Sequence, residues 1–124
     1  RDGGLDADRH DARCLHLLVE EEGPEGPEGP RLLGTARLRP FADGRGVLDS
    51  YAAESYDLAR LAAFPHPLME VGRLCVRPGA EAAPVLRAAW GAMTAAALGQ
   101  GARLLFGCCS FEGTDPAPHR AAFA

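Results

Sequence analysis

The chain has 124 residues, 47% of them apolar and 24% charged, with a net charge of -4 at pH 7. This is enough for one compact core and not two, and the acidic balance argues against general nucleic-acid binding. No apolar run approaches the roughly 18 residues that span a membrane, and no export leader is visible.

The chain opens at Arg1 without a methionine and closes at Ala124 inside what reads as a starting helix. It therefore reads as a fragment, a single partial domain over residues 1–124. The first thirteen residues are polar, with Asp2, Asp6, Asp8 and Asp11, and read as a loop. Cys14 to Glu20 alternates as a strand, with Leu15, Leu17 and Val19 on one face. The stretch GPEGPEGP (residues 23–30) reads as a stiff, solvated hairpin connection. Arg31 to Arg39 is the return strand, ended by Pro40.

Tyr56, Leu58, Leu61 and Ala62 at helical spacing predict a short helix over Glu54 to Phe64, stopped by Pro65 and Pro67. Leu68 to Val76 is the next strand. Pro84 suits a first helical turn. A stripe of Val85, Leu86, Ala89, Trp90, Met93, Ala97 and Leu98 then predicts an amphipathic helix closed by Gly99 and Gly101, with Trp90 in the core. Arg103 to Phe111 reads as a strand, and Thr114-Asp115-Pro116 as a helix start. The order gives an α/β fold: a hairpin, then a strand-helix-strand crossover, forming a mixed sheet with helices on its faces.

Cys14, Cys75, Cys108 and Cys109 include no CxxC spacing, so zinc is not expected. They read as buried free thiols. The anomaly is LMEVGRLCVRP, residues 68–78, which sets Glu70 and Arg73 inside an apolar strand. In a regular strand these two point to opposite faces, because three is odd. Glycine within a strand often marks a bulge, so the spacing predicts one at Gly72 that turns both charges to one side. Spacing alone leaves a buried structural ion pair and a functional pair as equal readings.

The segments CLHLLV, GTARLRP, SYAAESYDL, LMEVGRLCVRP and LFGCCSFEGTDP, in this order, resemble the bacterial ornithine-lipid N-acyltransferases, a hemolysin-like branch of the GNAT-like superfamily. The resemblance runs from about Asp6 onward. GTARLRP with the E-x-x-R strand is also similar to the acyl-homoserine-lactone synthases. The resemblance implies a GNAT-like mixed central sheet with helices on both faces, truncated at both ends. It implies transfer of a 3-hydroxyacyl chain from acyl carrier protein to the α-amino group of ornithine, giving lyso-ornithine lipid. The donor is then the acyl-phosphopantetheine of the carrier, with no permanently bound cofactor and no metal. The sequence departs from other GNAT proteins in lacking the pyrophosphate loop, where VRPGAEAAPV stands instead.

On this resemblance Glu70 and Arg73 are the catalytic candidates, and Arg37 and Asp6 the first substrate-binding ones. Glu70 would serve as base or bind the ammonium, and Arg73 or Arg37 would grip the substrate carboxylate. A backbone N–H near Cys75 or Val76 would face the oxyanion. Asp57 and Ser110 complete the substrate-side candidates, with a helix-end role for Asp57 and a packed, hydrogen-bonded role for Ser110 as their structural readings. Arg77 and Arg87, near the start of the crossover helix, are candidates for the acidic carrier's contact. The expected setting is the cytoplasm, with peripheral membrane contact because the product is a lipid. Two alternatives stand beside this one. The first is another GNAT-like N-acyltransferase, either an acyl-homoserine-lactone synthase or one using acyl coenzyme A. The second is a domain that binds acyl carrier protein or lipid without turnover.

Overall fold

The computed structural model describes Gly4 and residues 6–23, 29–110 and 113–123. Its sheet has four strands in the order β1 (Leu15–Glu21), β2 (Arg31–Phe41), β3 (Leu68–Val76) and β4 (Leu104–Phe106). The β1–β2 and β2–β3 pairings are antiparallel, and β3–β4 is parallel through the crossover helix α1 (Ala82–Gly99). Most of the hairpin connection, residues 24–28, lies outside the described residues, as does Phe111.

α1 covers one face of the sheet. Val85, Ala89, Met93 and Ala97 recur every fourth residue and are the buried positions of the helix. Ala89, Met93 and Ala97 pack on Ala36, Leu38 and Met69. Trp90 belongs to the expected core stripe but is 49% exposed. One residue beyond Ala89 is a rotation of about 100°, which carries the indole away from the sheet. The helix closes with Gly101 at φ 67°, where Gly101 donates to the Leu98 carbonyl and Ala102 to that of Ala97.

On the opposite face the helical elements are short 3-10 turns at Gly44–Asp49, Ala52–Glu54 and Leu61–Ala63. Val47 packs there with Phe41 and Leu68, and Leu58, Leu61 and Phe64 close over them. The helix expected over Glu54 to Phe64 does not form. Asp57 instead accepts the backbone N–H of Ala59 at 2.9 Å, a local bond that competes with helix.

Two strand ends and one register also differ from expectation. β2 runs through Pro40 to Phe41, past the end of its pairing with β1 at Leu38. Proline is tolerated there because one edge of the strand is open. β4 ends at Phe106, five residues before the expected Phe111. At Gly107 an added Cβ would collide with the Val71 carbonyl oxygen, so the chain crosses β3 closely and leaves the ladder.

The third difference decides the site. The β2–β3 register is regular from Phe41↔Leu68 to Arg37↔Gly72, then resumes at Thr35↔Cys75. Ala36 therefore opposes two residues, Arg73 and Leu74. The bulge expected at Gly72 falls one residue later, and Arg73 itself adopts φ 49°. Such a backbone costs a non-glycine residue roughly 1–3 kcal/mol. Its effect is to swing Arg73 from the α1 face to the face that carries Glu70.

Candidate active site

That face carries Arg37, Arg39 and Glu70, all buried. Glu70 lies opposite Arg39 in the β2–β3 ladder. Its Oε1 accepts the backbone N–H of Ala52 at 2.7 Å, and its Oε2 that of Tyr51 at 3.2 Å. Arg73 does not pair with Glu70. Its Nη2 donates to Asp6 Oδ1 at 2.9 Å, and its Nη1 lies 3.9 Å from Asp8 Oδ2. The buried Glu70–Arg73 ion pair is therefore ruled out as the reason for these two charges.

Arg37 is held by two carboxylates from the segment before β1. Its Nη1 lies 2.8 Å from both oxygens of Asp8 and 2.8 Å from Asp11 Oδ1. The guanidinium also sits over the Tyr51 ring, 5.5 Å from its centre. Burial would lower the Arg37 pKa, but the hydrogen bonds to Asp8 and Asp11 outweigh it and raise it. Burial raises the Asp8 carboxyl, and the bonds from Arg37 and the His10 N–H more than reverse that, leaving it low. The Arg37 bond, with the Asp8 N–H, lowers Asp11.

Two cavities meet at this point. A polar pocket of about 230 Å³ is lined by Cys14, Arg37, Arg39, Tyr51, Glu70 and Arg73, among others. A more apolar cleft of about 570 Å³ opens beside Leu74, Trp90, Leu105 and Phe106. Val71, Gly72, Arg73, Cys108 and Ser110 line both. The cleft exists because β3 and β4 pair only from Leu68↔Leu104 to Glu70↔Phe106 and then part. Beyond Glu70, the β4-side edge of β3 has no ladder partner among the described residues.

Residues 1–91 match the model of the acetyltransferase (GNAT) domain. The chain belongs to that family. The chain is 36% identical over 117 residues to the L-ornithine N(alpha)-acyltransferase of Brucella abortus, covering 92% of this chain and 41% of the relative. It is 35% identical over 124 residues to that of Rhizobium meliloti, covering 96% and 41%. It is 30% identical over 113 residues to that of Rhodobacter capsulatus, covering 91% and 44%. The chain thus spans about two-fifths of the length of these curated relatives. No solved structure matches it significantly.

Within this GNAT domain the structure gathers Glu70, Arg73, Arg37, Asp6 and Ser110 around the two cavities and a neighbouring groove, which Cys75 also lines. Val76, half-buried, ends β3 opposite Gly34. Asp57 is exposed in its own turn and lines neither cavity. Arg77 donates to the Leu32 carbonyl at 3.3 Å, and Arg87 is exposed on α1. All four cysteines are free, but only Cys14 is even half-buried, and the other three are exposed. Cys75 lies past the bulge, and Cys108 and Cys109 lie past the last β3–β4 pair, where the ladder no longer covers them. Although its surface is open, partial desolvation by its neighbours, with the Glu70 carboxylate nearby, raises the Cys108 thiol, which disfavours a thiolate nucleophile. Among the described residues no three His, Cys, Asp or Glu side chains gather as metal ligands. No helix among them is long and apolar enough to cross a membrane.

Sequence reasoning passed over His10, Arg39 and Tyr51. Arg39 carried a signal: it follows Arg37 by two residues, so both lie on one face of β2. His10 and Tyr51 sit in irregular segments and carried none.

Proposed function

We propose that this chain is part of an ornithine N-acyltransferase that takes a 3-hydroxyacyl group from acyl carrier protein. The observation that carries the reading is the junction of the polar pocket and the apolar cleft at Val71–Arg73, Cys108 and Ser110. The relatives' name, L-ornithine N(alpha)-acyltransferase, supports the acceptor.

In this reading ornithine occupies the polar pocket and the acyl-phosphopantetheine occupies the cleft. The α-amino nitrogen attacks the thioester carbonyl carbon, the C–S bond breaks, and the carrier's thiolate leaves and is protonated. Glu70 takes the amine proton, directly or through water. Its two backbone bonds leave carboxylate lone pairs for this. Arg73 is the better grip for the substrate carboxylate, because Arg37 is committed to Asp8 and Asp11. Asp6, 72% exposed, is free to exchange Arg73 for the substrate's side-chain ammonium. Backbone N–H groups on the unpaired edge of β3 beyond Glu70 supply the oxyanion donor. Arg77 and Arg87 meet the acidic carrier, and the lipid product brings peripheral membrane contact.

The test incubates the intact gene product with 3-hydroxyacyl carrier protein and ornithine and seeks lyso-ornithine lipid by mass spectrometry. Product formation with ornithine, and not with lysine or homoserine lactone precursors, supports the reading. A folded protein that binds the carrier and forms no acylated amine overturns it in favour of non-catalytic binding.

A further inference from the structure

Glu70 is a useful proton acceptor only if its carboxylate is held still, and the groups holding it are the N–H donors of Tyr51 and Ala52. These belong to a single short turn, Tyr51 to Glu54, too small to be rigid on its own. The question is what fixes that turn against the sheet.

One side chain reaches its ring, its far end and the strand beneath it. His10 is 3% exposed, the only described histidine that is buried. Its Nε2 lies 2.9 Å from Glu54 Oε1, at the end of the turn. Its ring meets the Tyr51 ring edge-on, with centres 5.9 Å apart, at the start of the turn. Its Nδ1 lies 3.2 Å from Arg39 Nη1, on the strand beneath. Arg39 in turn donates to the Asp49 carbonyl at 2.6 Å and to the Asp49 carboxylate at 2.7 Å, just before the turn. A guanidinium has no acceptor, so His10 Nδ1 accepts and Nε2 carries the hydrogen given to Glu54. The backbone N–H of His10 also donates to Asp8 at 2.8 Å, and Asp8 holds Arg37.

We propose that His10 is a positioning residue for Glu70, clamping the Tyr51–Glu54 turn through Glu54, Tyr51 and Arg39 so that its N–H groups fix the carboxylate. His10 is absent from the residues lining the polar pocket, so it acts through the turn and not on substrate. The inference rests on Glu70 being the functional carboxylate of the proposed transfer.

The test compares His10→Phe, His10→Gln and Glu70→Gln in the intact gene product. Phenylalanine keeps the ring against Tyr51 and removes both hydrogen bonds. Glutamine keeps a donor and an acceptor. His10→Phe is expected to lower kcat by about tenfold or more, since small misplacement of a reacting group is costly, with the KM for ornithine changing little. Amide hydrogen exchange at Ala52 should speed up in parallel, and His10→Gln should recover part of both. If His10→Phe does not fold, Glu54→Ala, at a carboxylate 43% exposed, removes the acceptor for Nε2, and Arg9→Ala, which removes only the other donor to that oxygen, separates the Arg9 contribution from the same readouts. Wild-type kcat and wild-type Ala52 protection in the variant overturn the proposal and leave His10 as packing. Full activity in Glu70→Gln overturns the role of Glu70 instead, and Ala52 exchange then still decides whether His10 holds the turn.

Discussion

Glu70 and Arg73 stand three residues apart on one strand, line the same pocket, and do not pair with each other. The bulge at Arg73–Leu74 makes this possible, by adding one residue opposite Ala36. Each charge is then held by a different segment: Glu70 by the turn at Tyr51–Ala52, and Arg73 by Asp6. Two opposite charges in one pocket but separately anchored fit the zwitterionic amino acid of the proposed transfer. A mutual salt bridge would have satisfied both.

The glycine beside the bulge is not what permits it. An added Cβ at Gly72 meets nothing within 4 Å, and its φ is not positive. Gly72→Ala should therefore fold with stability within about 1 kcal/mol of wild type, or gain slightly by restricting the unfolded chain. Thermal or urea unfolding checks this. Gly107 behaves differently, because any Cβ strikes the Val71 carbonyl. Gly107→Ala should unfold at distinctly lower denaturant and alter the cleft beside it, read as a raised KM for the acyl donor.

The acid limb of stability should follow Asp8 and Asp11. Both have folded pKa values below the ordinary 3.8. The folded state therefore binds fewer protons than the unfolded state in that range. The stabilisation is complete above about 3.8 and is lost as pH falls below it toward the depressed folded values. In Asp8→Asn/Asp11→Asn the melting temperature should fall less steeply below that pH. At neutral pH the double variant should lose about 3 kcal/mol, because it strands the buried Arg37. Melting curves across a pH series measure both effects.

The core under α1 should be unforgiving. Met93 is fully buried against Ala36, Leu38 and Met69. Met93→Ala should cost about 2–5 kcal/mol, measured by urea unfolding. Leu98→Ala, on a side chain 73% exposed, should change stability by less than about 0.5 kcal/mol.

These contrasts show what the sequence made legible. Alternation reported β1 and the four-residue repeat of Val85, Ala89, Met93 and Ala97 reported α1, because burial in both is periodic. β2 and β3, buried on both faces over residues 36–39 and 68–70, were legible instead as apolar runs closed by proline. Glu70 and Arg73 were visible because they break such a pattern. The same logic misled at Trp90, which shares the stripe by spacing but falls just outside its buried arc. It misled again over Glu54 to Phe64, where helical spacing lost to the Asp57 turn and to Glu70's hold on Tyr51 and Ala52. The His10–Arg39–Glu54 cluster was invisible because His10 lies 29 residues from Arg39 and 44 from Glu54. Only the fold brings them together.

The most direct measurement is the single-turnover rate of 3-hydroxyacyl transfer to ornithine by the intact gene product and its Glu70→Gln variant, with the donor bound to saturation. Glutamine keeps the shape and one acceptor for Ala52 but removes the carboxylate proposed to accept the proton. The account predicts a rate lowered by about 10²–10⁴-fold, with carrier binding and melting temperature near wild type. A Glu70→Gln enzyme that transfers at the wild-type rate would contradict it.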